Sequence, residues 1–162
     1  MKQKIILFCA TFFAALGAGT AFVVWLDFRP VEITPSFYVE KMQHAIKAFT
    51  VPLPIVLMAG IFFTIIATAL LRKDRKSFYF LIAASTCIMA ALLITFFGNI
   101  PINNQIKTWN INSVPHDWRE VQYKWWYIHT FRTIFQIAGL SLLILTLLLR
   151  YNVQNIDHPS NK

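Results

Sequence analysis

The chain has 162 residues, of which 57% are hydrophobic and 14% charged, and its mean hydropathy is +0.54. An average soluble domain carries roughly 25% charged residues, so a water-soluble enzyme of this length is excluded by the apolar surface it would have to hide. The net charge of +8 does not indicate nucleic acid, because most basic residues sit at the ends of apolar runs, where they orient a membrane protein.

Four stretches predict transmembrane helices: Ile5 to Leu26, Ala48 to Leu71, Phe78 to Phe97 and Thr133 to Leu149, each without a charged residue. Crossing a ~30 Å hydrocarbon core takes about 20 residues. The first three suffice. The fourth gives roughly 25 Å at 1.5 Å per residue, so it must tilt, thin the bilayer, or draw Phe131 and Arg132 to the membrane edge. The first stretch, behind Lys2 and Lys4, is long for a signal peptide and is taken as a retained helix. Ala10, Ala14 and Ala18 recur every fourth residue there and let another helix approach closely; whether the chain forms an oligomer is left open.

Loop charge sets the expected orientation. Arg72, Lys73, Arg75 and Lys76 share a side with Lys2, Lys4, Arg150 and Lys162, and that side has eight basic and two acidic residues against seven and five on the other. Both termini are therefore expected in the cytoplasm of a multi-pass cell-membrane protein. The whole is read as one all-α domain over 1–150. Its spans are placed at 5–26, 49–71, 78–97 and 130–149. Outer segments at 27–48 and 98–129 cap the four-helix bundle, and 151–162 form a polar, disordered tail.

Both outer segments exceed the two to eight residues a minimal bundle needs. In the first, Ser36 is the expected N-cap of an amphipathic helix ending near Phe49, with Val39, Met42, Ile46 and Phe49 on one face. That helix either lies flat at the interface or acts as a lid with Gln43 pointing into a cavity. In the second, Gly98 is expected to end the third span and Pro101 to bar its continuation. Asp117 is expected to cap a last helix from Trp118 to Arg150, ~50 Å long and more than a bilayer needs.

On that helix Trp118, Gln122, Trp125, His129, Arg132 and Gln136 are spaced 4, 3, 4, 3, 4. At 100° per residue they share an arc of about 80°. A polar stripe entering a membrane helix turns toward the bundle interior rather than lipid. An interfacial belt explains Trp126 and Tyr127, but not His129, Arg132 and Gln136 on one face. An aromatic-walled pocket with one His, one Arg and several amides suits a planar, phenolic or quinone-like ligand. His129 can act as a base and Arg132 can hold an oxyanion. Glu40 with His44 and His116 with Glu120 have one-turn spacing, but nothing ties them to His129, so no metal is assigned. Cys9 and Cys87 form no Cys-x-x-Cys pair, and no haem, P-loop or dinucleotide motif is present.

The run Asn99-Ile-Pro101-Ile-Asn103-Asn104, then Trp109, Asp117-Trp118, Lys124-Trp125, His129 and Arg132, resembles the motif of the anthrone-oxygenase-like family of small four-helix membrane proteins. Met42-Gln43 resembles it too. The likeness spans nearly the whole chain and departs at Gln122 and Tyr123, where basic residues are frequent. It implies a cofactor-independent oxygenase oxidising a lipophilic phenol of the anthrone type with O₂, without flavin or haem. His129, Arg132, Asn103 and Trp125 would serve as base, anion holder and pocket walls. Gln43, Asn99, Trp109, Trp118, Gln122 and Gln136 complete the candidate binding set. The rival readings are a non-enzymatic module binding a lipid, quinone or partner protein through the same pocket, and a small transporter. The paired helix breaks of a transporter are missing, and Pro52 and Pro54 sit where a helix start tolerates proline.

Overall fold

A computed structural model describes the backbone of residues 1–157, with side chains through Arg150. It contains α1 (Lys2–Asp27), α2 (Pro35–Phe49), α3 (Pro52–Leu70), α4 (Arg75–Ile94), a π-helical turn at Thr95–Asn99, α5 (Ile100–Lys107) and α6 (Trp118–Asp157). Four helices are long and apolar enough to cross a membrane: Lys2–Asp27, Pro52–Leu70, Arg75–Lys107 and Trp118–Arg150. They pack in a ring, α1 against α3 and α6, and α4 against α3 and α6. The protein is an all-α membrane bundle.

Its surface is inverted relative to a soluble protein. Phe8, Ile55, Phe62 and Phe97 point outward, Phe97 at 80% exposure, while Thr64, Thr146, His129 and Arg132 are buried. Lipid is the one solvent in which such a surface is stable. One apolar cluster fills the bundle (Leu7, Leu57, Ile61, Leu81, Ile88, Leu143), and a second fills the cap (Tyr38, Val39, Met42, Ile106, Trp118, Trp125).

Helix starts follow local chemistry. The N-cap of α2 is Thr34, not Ser36: its hydroxyl accepts from the Phe37 amide at 3.4 Å. Pro35 decides this, since proline holds the preceding residue extended and itself fits the first helical position. At α4, Asp74 accepts from the Ser77 amide and from its hydroxyl, the latter at 2.6 Å.

A second correction concerns Gly98 and Pro101. The third span does not end there. It passes through the π turn directly into α5. The wider turn opens the hydrogen-bond ladder just before Pro101, which then lies in the first turn of α5 rather than in a regular helix interior. Gly98 is required for packing, because a Cβ there would lie 2.5 Å from Ile128 Cγ2 on α6. Gly139 gives a similar approach of α6 to α4, with Ile88 at 3.0 Å. Lastly, α6 continues to Asp157, so 151–157, expected as the start of the polar tail, are helical. Nothing in that stretch breaks a helix before Pro159. The remainder of that tail, 158–162, lies outside the described residues.

Candidate functional site

The six-residue face of α6 is buried along its whole length: Trp118, Gln122, Trp125, His129, Arg132 and Gln136 are all at 8% exposure or less. Tyr127, on the opposite side, is exposed, and Trp126 is bound to α1 through its indole N–H and the Trp25 carbonyl at 3.1 Å.

Trp125 organises the middle of this face. Its indole N–H donates to Asn103 Oδ1 at 2.7 Å. Its ring stacks on His129, with centroids 4.8 Å apart, and leans on Phe28. Its carbonyl accepts from Asn99 at 3.4 Å. His129 has no exposure at all and bonds through Nε2 to the Ala21 carbonyl at 3.0 Å. A carbonyl only accepts, so Nε2 carries the proton and Nδ1 is the free ring nitrogen. Among the described residues that Nδ1 has no hydrogen-bond partner, nor do Arg132 Nε, Gln122 Oε1, Asn99 Oδ1 and Gln136 Oε1.

Arg132 is the exceptional group. It is 6% exposed, and among the described residues no carboxylate pairs with it. An unpaired charge taken out of water costs several kcal/mol, which is tolerated where a ligand supplies the counter-charge. Arg132 lines a cavity of about 310 Å³ whose apolar walls are Ile46, Leu53, Pro54, Leu57 and Ile100. Asn103, Asn104 and Lys107 of α5 supply polar groups. A smaller space of about 70 Å³ adjoins it, sharing Asn103 and Arg132 and adding Trp125, Phe28 and Met42. This is the cavity shape expected of a small-molecule site, mostly apolar with a few convergent polar groups.

Arg132, Asn103 and Trp125 thus meet at the smaller space, and Arg132 and Asn103 also line the larger cavity. The other candidates are placed elsewhere. His129 is stacked on Trp125 and lines neither space. Gln43 donates to the carbonyls of Ile106 and Trp109, at 3.0 and 2.9 Å, and clips α2 to the end of α5. Trp109 packs in the cap core, and Trp118 packs on Tyr38 at 5.5 Å. Gln122 and Asn99 are buried, Asn99 against the Trp125 carbonyl, and Gln136 borders a crevice near Gly17 and Gly60. His44 and His116 are exposed, and among the described residues no three His, Cys, Asp or Glu converge. Two cavity residues were missed in the sequence, Lys107 and the amide of Asn104. The available signal was the spacing of Lys107, three residues after Asn104 and four after Asn103, visible only once α5 is known to be helical.

A family model described as anthrone oxygenase matches residues 42–142. No curated protein and no solved structure matches the chain.

Proposed function

The chain belongs to the anthrone oxygenase family, and from that premise we propose that it binds a lipophilic phenol of the anthrone type in the Arg132 cavity and oxidises it with O₂. The observation that carries this reading is a buried guanidinium with no carboxylate partner among the described residues, set in a mostly apolar cavity. An anthrone enolises to a phenol, and its oxyanion is the counter-charge that Arg132 lacks. The enolate is electron-rich enough to give electrons to O₂ directly. The new C–O bond forms at the former CH₂ carbon, both of its hydrogens leave, and the O–O bond breaks. One oxygen atom becomes the quinone carbonyl and the other leaves as water. Arg132 holds the oxyanion, Asn103 Nδ2 is free to donate to the ligand, and the apolar walls keep water from the reacting carbon.

His129 has a role through Trp125 in this reading. It fixes the indole plane by stacking, and Asn103 fixes the indole edge. The proton of the phenol leaves to water at the cavity mouth. The absence of His129 from the cavity lining favours the second reading, a module that binds such a lipophile without turning it over. We place the cap end outside the cell, since the Arg72–Lys76 cluster lies at the opposite end.

The binding test is a titration of purified protein in micelles with 1,8-dihydroxyanthrone under argon, followed by tryptophan fluorescence. Wild type is expected to saturate, and Arg132→Gln to bind at least tenfold more weakly with its helical content intact. Equal binding by the folded variant refutes the assignment of Arg132.

A further inference from the structure

The cavity presents donors and cations and no acid. Among its lining residues the only charges are Arg132 and Lys107, and no Asp or Glu contributes. The hydroxyls of Thr50 and Thr95 donate to carbonyls of their own helices, at Ile46 and Ala91. Asn103 has its oxygen occupied by the Trp125 indole, which leaves its NH₂ free. On α5, Lys107 follows Asn104 by three residues and Asn103 by four, and all three line the cavity, so the amides and the ammonium group reach it from one helix. Arg132 is buried while Lys107 is exposed, which puts one cation at depth and the other at the mouth. Neither is paired with a carboxylate among the described residues.

We infer that Lys107 and Asn104 form a second anion subsite at the mouth of this cavity, and that the ligand is a lipophilic aromatic carrying a carboxylate in addition to the oxygen held by Arg132. The inference rests on the Arg132 reading above and names the substrate class for it. A neutral aromatic would leave Lys107 unused, whereas a carboxylate at its far edge neutralises the mouth while its rings fill the apolar walls. Lys107 also has a competing role at the C-terminal end of α5, where a cation offsets the helix dipole. That role acts on the protein whatever the ligand, so a pair of ligands differing only in the carboxylate separates the two.

The probes are anthraquinone and anthraquinone-2-carboxylate, each titrated into the same micelles with wild type, Lys107→Gln, Lys107→Glu and Lys107→Arg. For the carboxylate, Lys107→Gln is expected to weaken binding about fivefold, in the range of a solvent-accessible ion pair, and Lys107→Glu more. Lys107→Arg is expected to restore it, and 0.5 M salt to erase the difference. For anthraquinone all four proteins are expected to agree within twofold. If Lys107→Gln weakens both probes alike, or neither, the subsite is overturned while the Arg132 reading stands on its own titration. If neither probe binds to folded wild type and the hydroxyanthrone also fails, both fall together. If the carboxylate alone binds, in a Lys107-dependent way, and the hydroxyanthrone does not, the anion subsite holds and the phenol reading fails.

Discussion

Arg132 and Tyr38 are two buried polar groups with opposite meanings. Arg132 faces a cavity, so its missing partner can be a ligand. The Tyr38 hydroxyl is buried in the cap core with no hydrogen bond among the described residues, and it lines neither of the spaces next to Arg132. Burial pushes its ionisation above the usual tyrosine range, so it stays a neutral phenol. Tyr38→Phe removes an unsatisfied hydroxyl and keeps the ring packed on Trp118. It is expected to raise stability by about 1 kcal/mol, read as a higher Tm in detergent; a lower Tm would mean that the hydroxyl has a partner. The buried face of α6 was legible in the sequence because its six residues obey the helical period. The use made of each residue was not. Gln43 bonds to carbonyls 63 and 66 positions away, and His129 to one 108 positions away. Pairings of that range are set by the tertiary fold, which no local spacing encodes.

At the level of elements, the π turn is what makes the site. It joins α4 directly to α5, with Pro101 in the first turn of α5, and so places Asn103, Asn104 and Lys107 at the same cavity as Arg132. Reading Gly98 and Pro101 as an ending was sound local chemistry that tertiary packing overrode. Gly98 serves the close contact with Ile128, and Asn99 is held by the Trp125 carbonyl. Gly98→Ala is therefore expected to destabilise by about 1–3 kcal/mol through overpacking. In an Ile128→Ala background the same change should cost almost nothing, since the methyl it meets is gone. A double-mutant cycle of melting temperatures reads this coupling, and additive effects would show that the contact is not the reason for glycine. Thr34 displacing Ser36 as the cap of α2 has a similar cause at shorter range, as Pro35 fixes where the first turn can begin.

For the whole molecule, the fold class was the most legible feature, because charge-free stretches of membrane-crossing length follow from the cost of dehydrating a charge. Orientation rests on the same electrostatics. With Cys9 and Cys87 replaced by alanine, a membrane-impermeant thiol reagent is expected to label Asn112→Cys in intact cells and to label Lys73→Cys only after lysis. The reverse pattern would invert the topology and put the Arg132 cavity at the cytoplasmic side. In either orientation the cap closes one end of the bundle, and the cavity lies where cap and bundle meet, lined by the end of α2, the start of α3, α5 and Arg132.

The central claim joins that buried guanidinium to oxygen chemistry. The measurement that tests it most directly is oxygen uptake by detergent-purified protein supplied with 1,8-dihydroxyanthrone and no added cofactor, with Arg132→Gln as the blank because anthrones autoxidise. Uptake well above the blank, with one anthraquinone formed per O₂ consumed, is the predicted result. Uptake equal to the blank, from wild type that is folded and binds the anthrone, would contradict the oxygenase account and leave a protein that holds such molecules without changing them.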